Sequence, residues 1–154
     1  MLNSAMLNRA FLLAALLLSG GCLEANAAEW QTDYGNALAK AKAQNKRVLL
    51  DFTGSDWCPQ CMALRQQVFS TAAFQAYAEK NLILVQIDYP KRRMQPTALK
   101  IQNEKLASNY AIDDKGFPTL VVLNAAGKVL REFTGYDGEG AAQLIAWLDG
   151  RLKM

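Results

Sequence analysis

The sequence predicts an α/β fold in which a central four-stranded mixed sheet is flanked by helices, with an N-terminal helix and a lengthened strand-helix connection. Three observations lead there. Two short continuous apolar runs, Arg47–Phe52 and Leu82–Asp88, have the character of strands buried on both faces of a sheet. Helical patterns precede, separate and follow them in a βαβ rhythm. Finally, Leu120–Leu123 and Val129–Phe133 flank the turn Asn124–Gly127 and read as an antiparallel hairpin.

In chain order, Tyr34, Ala37, Leu38 and Ala41 have the i, i+3, i+4, i+7 spacing of an amphipathic helix, with Thr32 or Asp33 as N-cap. Asn45-Lys46 breaks it, and the strand Arg47–Phe52 follows with one acid, Asp51, inside it. After the turn Gly54-Ser55-Asp56, a helix runs from about Cys58 to Phe69. Ser70 and Thr71 are placed to cap a further helical piece through Tyr77. Tyr89-Pro90 ends the second strand, because proline cannot donate to a ladder. Pro96-Thr97 then opens a helix that turns Leu99, Leu106 and Tyr110 inward. The hairpin comes next, and a last helix from Ala141 to about Leu152 carries Leu144, Ile145 and Leu148 on one face.

A chain of 154 residues, 51% hydrophobic and 20% charged, is long enough for one globular domain with a proper core and too short for two. Its first residues are of another kind. Arg9 precedes an uninterrupted apolar run, Ala10–Leu18, and then Ser19-Gly20-Gly21, the layout of a secretory signal peptide. Nine apolar residues are too few for a membrane span, which needs about twenty. Ala25-Asn26-Ala27 supplies a small-x-small cleavage site, so residues 1–27 are read as a cleaved leader and 28–154 as the domain. A competing reading lipidates Cys22, because Leu18–Cys22 resembles a bacterial lipobox. Ser19 stands where such boxes usually carry leucine, so cleavage is preferred. Both readings place the chain outside the cytosol, in a bacterial periplasm or anchored to its membrane.

The net charge of +3 is unchanged by loss of the leader, which holds one Arg and one Glu. So small an excess gives no ground for a nucleic-acid partner, and none is expected. Lys91-Arg92-Arg93 is the one local basic run, and three charges in a loop are more often a solvated surface than a binding patch.

Chemistry concentrates in Trp57-Cys58-Pro59-Gln60-Cys61. A Cys-x-x-Cys that opens a helix after a buried strand puts its first thiol where unpaired backbone N–H groups and the helix dipole favour negative charge. Cys61, one turn later, lies on the same side and within disulfide reach. Pro59 suits a first helical turn, where its missing N–H has no partner to lose. Inert packing fits poorly with Trp57 and Pro59, which suit an exposed helix tip. A zinc site needs two more ligands, and this chain has no His and no second cysteine pair. Redox chemistry is therefore favoured, and in an exported protein such a pair stays reduced only if something supplies electrons.

Taken together, Asp51-Phe52, Trp57–Cys61, Ile87-Asp88, Gly116-Phe117-Pro118-Thr119 and Gly135 resemble, in order and spacing, the landmarks of the thioredoxin superfamily. Trp30 and the run Thr53–Cys58 are most similar to exported thioredoxin-like disulfide reductases of the DsbH type. The resemblance implies a thiol-disulfide oxidoreductase without cofactor or metal. It implies Cys58, Cys61 and Asp51 as catalytic residues and Trp57, Phe117, Pro118 and Thr119 as substrate-binding ones, with a cis Phe117-Pro118 bond whose intrinsic cost is only about 0.5–1 kcal/mol. Its partners would be disulfide-containing exported proteins and a membrane thiol donor of the DsbD type. Desolvation within an apolar strand should raise the pKa of Asp51 and suit it to proton exchange with Cys61. The bland alternative is a strand-end acid that reaches water.

Departures from the family pattern are specific. The usual Gly-Pro dipeptide is Pro59-Gln60, the turn before Trp57 is one residue longer, and Leu84 replaces a lysine often found near the buried acid. The segment Tyr89–Leu106 is longer than the family minimum, which marks its basic loop as a candidate partner surface. With no positive charge inside the dipeptide, reduction or isomerisation is expected over strong oxidation. Two rival functions stay open: a binding module or chaperone without turnover, which Cys58→Ser would leave fully active, and a maturation factor for one envelope client, which Cys61→Ala would trap alone.

Overall fold

The structure, a computed structural model, describes residues 27–153; the predicted leader and Cys22 lie outside the described residues. A five-stranded mixed sheet has the order β1-β3-β2-β4-β5. Its strands are β1 (Trp30–Gln31), β2 (Arg47–Thr53), β3 (Leu82–Asp88), β4 (Thr119–Leu123) and β5 (Val129–Thr134). The central β2 runs parallel to β3, with Asp51 opposite Gln86, and antiparallel to β4, with Asp51 opposite Leu120. The sequence expectation of four strands is corrected to five: β1 is two residues long, too short to show alternation, and forms only by pairing Trp30 with Leu84.

Helices cover both faces, as the double-sided burial of β2, β3 and β4 requires. Side chains alternate across a strand. Val48, Leu50 and Phe52 therefore meet α1 (Tyr34–Gln44) and α4 (Thr97–Asn109). Leu49 points the other way, toward α2 (Pro59–Leu64), α3 (Ala72–Asn81) and α6 (Ala141–Leu148). Asp51 and Thr53 share the side of Leu49, which puts the acid beneath the cysteine helix.

Local chemistry sets the helix ends. Asp33 caps α1 by accepting from Asn36 N, and Thr71 caps α3 through Phe74 N. The helix expected from Cys58 to Phe69 is two pieces, α2 and a π-helical turn, Arg65–Phe69. The helix expected to stop at Tyr77 continues to Asn81. The final helix stops at Leu148, short of Leu152, because Gly150 takes φ +76°, a left-handed stop available to glycine. A single-turn α5 (Ile112–Lys115), unmarked in the sequence, precedes Gly116.

Candidate active site

Gly54 ends β2 and makes the turn into α2, its carbonyl accepting from Trp57 N and Cys58 N at 3.2 and 2.9 Å. Cys58 is the N-cap of α2, in extended backbone, and Pro59 occupies the first turn. Cys58 and Cys61 form a disulfide with Cα atoms 5.3 Å apart. The Cys61 backbone N–H donates to Cys58 Sγ at 3.2 Å, so one of the helix's orphan donors is aimed at that sulfur. The helix tip is exposed at Pro59 and Gln60, whereas the cysteines themselves are buried, Cys58 at 5% exposure and Cys61 at 4%.

Asp51 lies beneath the pair, 5% exposed, and its Oδ1 has no hydrogen-bond partner among the described residues. Burial, reinforced by the nearby Asp88 and opposed by Arg65, pushes its pKa up to about 7. Asp51, Cys61, Arg65 and Gln86 line one cavity of about 30 Å³, room for a water. Leu84, where the family often carries a lysine, is buried in the core on this face, and the cation acting on Asp51 comes instead from Arg65, at the start of the π-helical turn after α2. Sequence reading missed Arg65 because a surface arginine one turn after Cys61 carries no local signal.

Of the four residues expected to meet substrate, Trp57 and Phe117 line one groove, while Pro118 is buried behind them. Trp57 packs edge-on to Phe117, centroids 5.6 Å apart, and its Nε1 donates to Tyr89 O at 2.7 Å. The Phe117-Pro118 bond is cis, and neither backbone group of Phe117 makes an internal hydrogen bond among the described residues. Thr119 departs from the expectation. It is fully buried, with its hydroxyl bonded to Gly116 O and Thr134 Oγ1 at 2.8 and 2.9 Å, and it braces the loop from inside.

Asp88 also went unassigned in the sequence. Its carboxylate accepts from Ser55 N and Ser55 Oγ at 2.9 and 2.7 Å and pairs with Arg93. Its carbonyl accepts from Asn103 Nδ2 at 3.0 Å. The end of β3 thus ties the active-site turn to the loop that follows it.

Comparison with known proteins agrees with this architecture. The chain is 32% identical over 126 residues to the disulfide bond reductase DsbH of Chlamydia pneumoniae, covering 82% of this chain and 74% of that one. It is 29% identical over 140 residues to the thioredoxin-related protein DsbJ of the same organism, covering 86% of this chain and 40% of DsbJ. A solved DsbH oxidoreductase superposes with a TM-score of 0.76 at 30% identity, over 92% of this chain and 95% of that structure. Residues 34–151 match the family model of the thioredoxin-like domain, and with the fold, the cysteine pair and these relatives in agreement, the chain belongs to the thioredoxin-like disulfide oxidoreductases.

Proposed function

We propose that this protein is an exported disulfide reductase in which Cys58 is the nucleophile, Cys61 the resolving thiol and Asp51 the base. The observation that carries the reading is the Cys61 N–H aimed at Cys58 Sγ, at the N-terminus of a helix. That placement favours a thiolate at Cys58 over one at Cys61.

In the reduced protein, the Cys58 thiolate attacks a client disulfide, a Cys58–client bond forms, and one client sulfur leaves as a thiolate that takes a proton. Cys61 gives its proton to Asp51 across the shared cavity and attacks Cys58 Sγ. The second client sulfur departs, so the client gains two electrons and the protein ends as the disulfide. The carboxylate suits this step because a base with a pKa near 7 is poised to take a proton at neutral pH. The unpaired backbone of Phe117 would hold an extended client segment by edge pairing, which reads little of its sequence.

The direction follows from the absence of a cation between the cysteines and from likeness to a relative named as a reductase. The leader-like first 27 residues support export, with cleavage preferred over lipidation at Cys22. An exported reductase must be recharged, for which a membrane thiol conductor of the DsbD type is suited. Measuring the reduction potential, with turnover of a protein disulfide and its loss in Cys58→Ser, tests the reading. A potential near about −270 mV supports it, and one near about −120 mV, where strong oxidants lie, overturns the direction.

A further inference from the structure

The lengthened segment after β3 is fastened to the active-site turn. Asp56 accepts the backbone N–H groups of Lys91 and Arg92, both at 2.9 Å, and Lys91 Nζ lies 3.7 Å over the Trp57 ring. Between this segment and α4 runs a groove of about 560 Å³. Its floor is aromatic: Trp57, Phe117 and Tyr89 pack in series, the latter two with centroids 5.3 Å apart. Its rim holds Met94, a flexible apolar side chain 98% exposed, of the kind that adapts to varied partners. Trp57 and Phe117, which line the groove, directly precede Cys58 and Pro118, so the groove adjoins the active-site turn.

The charges on the rim are not symmetrical. Arg93 is neutralised by Asp88, and at the far wall Lys100 pairs with Glu104 at 3.7 Å, near Asp113. Lys91, which lines the groove beside Trp57, and Arg92, its neighbour just outside the lining, form no salt bridge among the described residues, though Arg92 acts on the Asp56 carboxylate at longer range. Asp56, the acid beside them, is held by their own backbone N–H groups. Set against the carboxylates of Asp56 and Asp88, the cations Lys91, Arg92 and Arg93 leave an excess of one positive charge where the groove meets the active-site turn.

We infer that this groove is a specificity subsite for an extended client segment carrying an acidic residue beside its reacting cysteine, with a neighbouring apolar side chain packed on Tyr89 and Phe117, since Lys91 already covers Trp57. Alternation along an extended segment lets one residue face the cations while the next meets the aromatic floor. The inference rests on the disulfide-exchange reading for its biological meaning, though the binding itself needs no sulfur.

Two fluorescent peptides test it, identical except for Glu or Lys beside the central position, each with Ser in place of cysteine and a Leu one residue further on. At low salt the Glu peptide is expected to bind about tenfold more tightly, with the ratio shrinking as salt screens the rim. The ratio should fall in Arg92→Glu and invert in Lys91→Glu/Arg92→Glu. Peptides that bind within twofold of each other, a preference for Lys, or a ratio indifferent to charge reversal would overturn the subsite. Turnover of the small neutral disulfide of 2-mercaptoethanol, measured separately, reports on the exchange chemistry alone, so either idea can fail without the other.

Discussion

Asp51 lines the cavity that Cys61 also lines, and its buried Oδ1 accepts no hydrogen bond among the described residues. A carboxylate so placed costs stability once it ionises. The folded pKa, about 7, lies above the ordinary value of 3.8, so the native state binds more protons than the unfolded chain between these limits. The stability this provides is complete below about pH 4 and is lost as pH rises through about 7. Asp51→Asn should accordingly melt higher than the parent at pH 8 and alike at pH 3.5. At roughly 1.4 kcal/mol per pKa unit, the neutral-pH gain is at most about 4 kcal/mol. The same variant should resolve a mixed disulfide about a hundredfold more slowly at pH 7, the lower end of what a positioned base supplies.

Arg65 lowers the Asp51 pKa, so Arg65→Gln should move the carboxyl titration upward, read by carbon NMR of Asp51, and Arg65→Lys should restore it. Arg65 is exposed, so the difference should shrink as salt rises. Resolution of a mixed disulfide at pH 6.5 should slow about two- to fivefold in the Gln variant, since less of the base is ionised.

Asp56 holds the groove loop through two backbone N–H groups, which keep its carboxyl below the usual carboxylate range. A depressed folded pKa means the contribution is present above the ordinary value of 3.8 and is lost as pH falls through the folded pKa. Amide exchange at Lys91 and Arg92 should quicken at least about tenfold in Asp56→Ala at neutral pH, and in the parent only on strong acidification.

Gly54 lies under Trp57, where a Cβ would overlap the indole ring. Gly54→Ala should displace Trp57, break its bond to Tyr89 O and cost about 1–3 kcal/mol, the range for forcing a group into a packed site. Thermal melting and a red shift in tryptophan emission would check this.

These relationships show what a sequence can disclose and what it cannot. Strand β3 was legible from Leu82 to Asp88 because burial on both faces demands an unbroken apolar run. The cysteine pair was legible because spacing, Pro59 and the preceding strand lie within a few residues of one another. Strand β1 was not, since Trp30 and Gln31 are strand only by virtue of Leu84 and Val85, far along the chain. Arg65, Asp56 and Asp88 escaped for the same reason: each acts on residues that the fold brings to it. Thr119 misled, because its place beside Pro118 suggests contact with a client while its register opposite Phe52 and Thr134 buries it.

The central claim is that Cys58 attacks and Cys61 resolves, and reaction of Cys61→Ala and Cys58→Ala with the same client disulfide tests it most directly. A stable mixed disulfide through Cys58 in the first variant, with little or none in the second, is the expected result; equal trapping by both, or trapping through Cys61 alone, would contradict it.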